Sequence, residues 1–428
     1  MLWLYRLLYL PALLLGAPYY MWRMRRRGGY RQGLAQRFGA EPVLPPKQPG
    51  VRRIWLHAVS VGEMLAVGPM IEAWRREGGV DVYLTTTTST GRRVAEERYA
   101  AMVAGFGYFP LDWWPFSARA WRRVQPDVVI LTEGERWPEH IHQAKRRGVP
   151  VICINARMSD RSFRNLRRVR RAVMPLMAGV TRVLACSEHD AERFRALGFP
   201  PACIAVTGNI KLDVNIPLLA EPERAALRRE LGLPGTGLVL MGSSTWPGEE
   251  AALLATLRQA RAAGLDCTLL LVPRHAERRT EIELLLRDSG LSHHFRSRGP
   301  APAAVDIAVG DTTGEMRKFL QLADVVFVGK SLPPHTEGQT PVESAVLGRP
   351  LLFGPGMGNF RPIAAELLAS GAARRVADAA DLARQAVALL GDADQRNELS
   401  TAARNWHRTN TGAVERTLAF IRAQSGRP

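Results

Sequence analysis

From residue 50 onward the chain alternates between two hydrophobic periods. Short continuous apolar runs, Arg52 to Val59, Val80 to Thr86, Val128 to Leu131, Val149 to Ile154 and Val183 to Ala185, predict strands buried on both faces. The amphipathic stretches between them predict helices, so the expected element is a doubly wound α/β domain with a parallel sheet. The pattern pauses over GNIKLDVNIPLLAEPE, residues 208 to 223, then restarts with GLVLMGSS, CTLLLVPRH, AAVDIAVGD, ADVVFVGKS, RPLLFGPG and GAARRVAD. Two Rossmann-like domains are expected, 28–208 and 224–428, the second ending in a helix, with a linker at 209–223. Ligands of such sheets bind at the carboxyl ends of the strands, which places the expected site in a cleft between the two halves.

The N-terminus does not share this alternation. MLWLYRLLYLPALLLGAPYYMW is largely apolar, is interrupted by Arg6, Pro11 and Pro18, and is followed at once by RMRRR. A cleaved signal peptide carries its charge before the apolar run, whereas here it comes mainly after. Residues 1–27 therefore predict a membrane anchor helix, either spanning the bilayer or lying in its interface. Arg23 to Arg27 are expected at anionic headgroups on the cytoplasmic side.

Composition narrows the partners. The 428 residues suit two domains, and 58 Lys and Arg against 40 Asp and Glu give a net charge of +18. Such a surplus points to nucleic acid, an acidic membrane surface or a phosphorylated substrate. Cys153, Cys186, Cys203 and Cys267 have no paired spacing, which suggests neither a zinc site nor a disulfide framework and fits a reducing compartment.

The strand-to-helix turns carry the candidate chemistry. In the second half GSSTWPGEE, with Ser243 and Ser244, offers backbone amides to an anion. Arg274 after Pro273 has the planar fork that suits phosphate. GDTTGEM, with Thr312 and Gly314, opens a further helix, and Gln339 and Thr340 precede a helix carrying Glu343, placed to bind ribose hydroxyls. Singly these read as an N-cap, a surface ion pair and a dipole partner. Four at successive strand ends favour a phosphorylated ligand, although neither GxGxxG nor GxxxxGK[ST] is present at these turns. In the first half SVGEM (Ser60, Gly62, Glu63), TTTTSTG, YFPLDWWP (Asp112) and TEGERWPEHI (Glu133, Glu135) are rich in hydroxyls and carboxylates, as suits an acceptor with hydroxyl groups. Glu63 reads either as a helix-start carboxylate, worth about 0.3 to 1 kcal/mol, or as a group presented for catalysis.

Taken in order, WLHAVSVGE, STGRRVAEE, FPLDWWPFSARAW, EGERWPEHI, NARMSDRSFR, SEHDAERFRALG, GNIKLD, GSSTWPGEE, LVPRHAER, GDTTGEMRKFLQLADVVFVGKSL and GRPLLFGPGMGNF resemble the successive motifs of the 3-deoxy-D-manno-octulosonic acid (Kdo) transferases. The resemblance implies a GT-B fold, CMP-Kdo as donor, the lipid A precursor (lipid IVA) as acceptor, an inverting mechanism and no metal or other cofactor. It implies an inner-membrane location with the catalytic domains on the cytoplasmic face, an anionic membrane surface as partner, and no nucleic acid. It also implies Glu63 as base, Glu135 as the acidic residue before Trp-Pro, Arg274 as the phosphate-binding arginine and Glu343 as the ribose ligand. Two stretches depart from the family. Where members read Gly-Gly-His-Asn-Pro-Leu-Glu-Pro this chain has residues 337 to 344, keeping only Gly338, Pro341 and Glu343, and Trp246 stands where members often carry His. These changes keep open a different activated sugar or an epimerase. A non-catalytic, membrane-tethered anion-binding protein is the alternative from another class.

Overall fold

A computed structural model describes residues 1–27 and 33–424, without the side chains of 23–27 and 424. The chain forms two compact units, Met1–Asp213 with Thr411–Pro428, and Val214–Asn410. The first is built on strands β1 (Arg52–His57), β2 (Val80–Thr86), β3 (Gly105–Tyr108), β4 (Val128–Thr132), β5 (Val151–Ala156), β6 (Val180–Ala185) and β7 (Ile204–Val206). All pair in parallel in the order β3-β2-β1-β4-β5-β6-β7. The connections reverse direction between β1 and β4, which makes the carboxyl ends of these two strands the switch point. Every residue of β4 and β5 is buried, the pattern of a sheet with helices on both faces. One face packs Leu56, Met64, Ile71 and Trp74, the other Trp55, Phe109, Trp121 and Leu131. Each such side chain contributes about 1.5–3 kcal/mol on leaving water.

The second unit repeats the plan with β8 (Leu238–Thr245), β9 (Cys267–Pro273), β10 (His293–Phe295), β11 (Ile307–Val309), β12 (Val325–Val328), β13 (Leu351–Phe353) and β14 (Ala373–Arg375). Its order is β10-β11-β9-β8-β12-β13-β14, so the reversal lies between β8 and β12. Leu240, Leu253, Leu257, Leu271 and Phe327 are in its core.

The domain boundaries differ from the expected ones at both joints. Residues up to Asp213 stay with the first unit, and helix Glu221–Glu230 begins inside the expected linker. The final helix, Ala413–Gln424, belongs to the first unit and not to the second. Its Ala413, Leu418 and Ile421 complete the core around Ile71 and Trp74. Asp213 accepts the amides of Gly412 (3.0 Å) and Val414 (2.7 Å), satisfying two donors at the helix start, and Arg422 pairs with Glu77. The apolar pattern of this helix was legible, but its destination was not.

Residues Leu2–Arg27 form one helix, and among the described residues no helix is long and apolar enough to cross a membrane. Arg6, which interrupts the apolar run, is not wasted: Nε and Nη2 donate to Glu139 at 2.7 and 2.9 Å. Tyr5 donates to Asp112 at 2.5 Å, and the Asp112 amide donates to the Tyr9 hydroxyl at 3.1 Å. Trp3, Leu7, Leu8, Leu14 and Leu15 of the same helix remain exposed. The side chains of Arg23 to Arg27 lie outside the described residues.

Candidate functional site

In the first unit β1 delivers the chain into a pinned turn. The Val59 carbonyl accepts from the hydroxyls of Thr86 and Thr88, both at 2.9 Å, so the threonine-rich turn after β2 holds this one in place. Ser60 then caps the helix Val61–Ala66, its hydroxyl accepting from the Glu63 amide at 3.2 Å. The Glu63 carboxylate folds back over this turn. Ser60 Oγ donates to Oε1 at 2.9 Å, the Val59 amide to Oε2 at 3.0 Å, and Thr132 Oγ1, from the end of β4, to Oε2 at 2.5 Å. A helix-start carboxylate folded back on its own turn accounts for the first two bonds. It does not call for Thr132, which ties the carboxylate across the switch point and fixes its direction. Gly62 is exposed, and a Cβ there would meet nothing nearer than Lys211 Nζ at 3.9 Å, so the space above the turn stays open.

Glu135 faces the same group. Burial, with the nearby Glu63 carboxylate adding to it, pushes its pKa up to about 7. His57 Nε2 lies 4.0 Å from it, and burial holds that imidazole neutral with a pKa of about 3. Because the folded pKa of Glu135 lies above its ordinary value of 4.5, the folded state binds more protons between these values. Stability is therefore lost as pH rises from about 4.5 to 7, and the loss is complete above 7. Glu135→Gln removes this term: the variant should gain melting temperature over the unaltered protein at pH 8 and not at pH 4.5, measured by thermal denaturation. Asp112, in contrast, is used for structure, accepting the amides of Glu139 (3.1 Å) and His140 (3.0 Å) at a helix start.

In the second unit Ser243 and Ser244 are not in a helix-opening turn. The ladder with β12 ends at Ser243, while that with β9 carries β8 on to Thr245 across a register shift at Ser244, whose φ is 53°, and both serines are buried. The following helix, Glu249–Ala262, starts later, and Glu249 itself occupies the nearby amides. It accepts from Trp246 (2.9 Å), Lys330 (2.8 Å), Ser331 (2.9 Å) and Leu332 (3.1 Å). Trp246 packs edge-on to His275 and His335, with Lys330 Nζ 4.1 Å over its ring.

Arg274 leaves β9 directly after the buried Pro273, its amide bonded to the Thr245 carbonyl at 3.2 Å. Three arginines follow that strand. Arg278 pairs with Glu250 and Glu281, and Arg279 with Asp311. Arg274 is exposed and its guanidinium has no partner among the described residues. Thr312 bonds Glu315 at 2.5 Å, and Gly314 adopts φ 90°, which favours glycine, ahead of the four-residue helix Met316–Phe319. Arg317 of that helix pairs with Glu343 at 2.7 Å, in the first turn of Val342–Val346. Gly338 combines φ 70° with a close approach, since a Cβ would fall 2.7 Å from Met357 Sδ. The Gln339 amide bonds the Gly329 carbonyl at 3.0 Å, and Thr340 Oγ1 accepts from the Val342 amide at 3.3 Å. The turns after β8, β9, β11 and β12 are thus linked to one another at the carboxyl edge of the second sheet.

A family profile described as 3-Deoxy-D-manno-octulosonic-acid transferase (kdotransferase) matches residues 32–214. The chain is 35% identical over 412 residues to the 3-deoxy-D-manno-octulosonic acid transferase of Bordetella pertussis, covering 93% of this chain and 94% of that protein. This chain belongs to the Kdo transferase family. The Kdo transferase of Haemophilus influenzae is 31% identical, over 92% of this chain and 91% of that one. The family makes this chain a glycosyltransferase. Its fold agrees: Anabaena HepE, solved with UDP, superposes with a TM-score of 0.57 at 15% identity over 88% of this chain and all of that one. The UDP-GlcNAc 2-epimerase of Neisseria meningitidis gives 0.57 at 13% over 86% and 99%. Both show two parallel-sheet α/β domains of GT-B type and nothing finer.

Within this Kdo transferase family member, reading the sequence passed over Thr132, His57 and Lys330. Each stands at a strand end, the one signal that could have found them; their partners are remote in sequence, Thr132 lying 69 positions from Glu63.

Proposed function

We propose that this transferase moves Kdo from CMP-Kdo to the lipid A precursor (lipid IVA), with inversion and without a metal, and that Glu63 is its general base. The observation that carries the reading is the Glu63 carboxylate, held by three donors at the switch point of the first sheet. Glu63 takes the proton of an acceptor hydroxyl as its oxygen bonds to the anomeric carbon from the face opposite CMP. The bond from that carbon to the phosphate oxygen breaks, and CMP leaves with the electron pair. Arg274, whose guanidinium has no partner among the described residues, stabilises that charge. Glu343, Gln339 and Thr340 hold the donor nucleotide and sugar, with Ser243, Ser244, Thr312 and Gly314 lining the strand ends behind them. Ser60, Gly62 and Glu135 belong to the acceptor side. The exposed apolar face of helix Leu2–Arg27 and the +18 charge support attachment to the anionic cytoplasmic face of the inner membrane.

Incubation with lipid A precursor and CMP-Kdo generated in situ tests the whole reading. Mass spectrometry should find the acceptor heavier by one or more Kdo units, and EDTA should leave the rate unchanged. Turnover of a different activated sugar in place of CMP-Kdo would favour the reading that residues 337 to 344 and Trp246 suggest. Loss of transfer in EDTA would remove the metal-free mechanism.

A further inference from the structure

Beside Glu63 lies a group of charges that the reaction as described does not use. Lys211 Nζ and Arg157 Nη2, the latter at 3.0 Å, both meet the carboxylate of Glu133. One carboxylate faces two cations, so the group carries a net positive charge. Its placement is built, not incidental. Glu133 and Asn155, at the ends of β4 and β5, hold the left-handed backbone with φ of 52° and 50°, a conformation costly for residues with a side chain. Asn155, 1% exposed, accepts the Ile210 amide at 2.9 Å and so fixes the segment that presents Lys211. The ammonium comes within 3.9 Å of where a Gly62 Cβ would stand, next to the turn that carries Glu63. A point-like ammonium and a planar guanidinium side by side suit an oxyanion. A carboxylate at −1 would balance that single excess charge, and a phosphate, at about −1.5 to −2, would overbalance it while offering more acceptor oxygens.

We propose that Lys211 and Arg157 form a subsite for an anionic substituent, a phosphate monoester or a carboxylate, on the sugar whose hydroxyl Glu63 activates. The subsite rests on the reading of Glu63 as base. It selects acceptors by charge and sets the reacting hydroxyl against the carboxylate.

Three acceptors test it in steady-state kinetics with the full chain: the phosphorylated lipid A precursor, the same precursor treated with phosphatase, and the treated precursor already carrying one Kdo. Lys211→Met and Arg157→Met should each shrink the KM preference for an anionic acceptor about ten- to a hundredfold, the scale of a hydrogen bond to a charged group. The donor KM should stay put. Loss of preference for the phosphorylated acceptor assigns the phosphate, and loss confined to the Kdo-bearing one assigns the carboxylate. Glu133→Gln separates a subsite from a structural clasp: freeing both cations should lower the KM of the anionic acceptor. Should Glu133→Gln raise it as Lys211→Met does, or should neither methionine variant change the preference, the subsite is overturned. Glu63→Gln with normal turnover would remove the base while leaving the preference readable, so the two ideas fail separately.

Discussion

Glu63→Gln lowers kcat by a factor of about 10² to 10⁴, the usual contribution of a general base, and leaves the fold intact. Glutamine has the same shape. Its oxygen can keep the Val59 amide and the Thr132 hydroxyl, and the Ser60 hydroxyl can turn to accept from its NH₂. What it cannot do is take a proton. The loss should appear in kcat with little change in the KM of either substrate, because the hydroxyl still binds but is no longer deprotonated. Circular dichroism and the melting temperature should match those of the unaltered enzyme. A Glu63→Gln variant that turns over at a comparable rate would return Glu63 to the role of helix cap.

The second large effect is expected at Arg274. Arg274→Ala should cost about 10² to 10³ in kcat, the scale of removing one donor from developing negative charge, with a rise in the donor KM. Its neighbours give the internal control. Arg278 and Arg279 are engaged with Glu250, Glu281 and Asp311, so their substitution strands carboxylates and should act first on stability. Arg274 breaks no ion pair of the described structure, and its alanine variant should melt where the parent does. Arg274→Lys should recover only part of the rate, since it keeps the charge but loses the fork. An alanine variant with unaltered kcat and donor KM would take the leaving phosphate away from this residue.

The long strands were legible because burial on both faces writes an unbroken apolar run, as in VVILT of β4 and CTLLLVP of β9. The short β3, β7 and β10 were not. GFGY, IAV and HHF carry too few residues for any period, and pairing with a neighbour makes them strands. At the site, Glu63 and Arg274 could be read because each directly follows a strong strand signal. Ser243 and Ser244 were misplaced because hydroxyls suggest a turn, whereas the ladder with β9 prolongs β8 past them to Thr245. Lys211 sat in what read as a linker; a buried Asn155 amide oxygen, 55 positions away, draws its segment into the first unit. Propensity sees local preference, and these assignments were made by remote partners.

The return of helix Ala413–Gln424 to the first unit also sets an order of assembly. Residues 1 to 213 leave the ribosome with the hydrophobic layer around Ile71 and Trp74 still open, and nearly two hundred residues of the second unit must be made before the segment that closes it exists. The second unit, continuous in sequence, can complete its core during synthesis, whereas the unit that carries Glu63 finishes last. Until then its apolar layer stays uncovered, so the turn that carries Glu63 rests on a core that is completed only when residues 411 to 424 have been made.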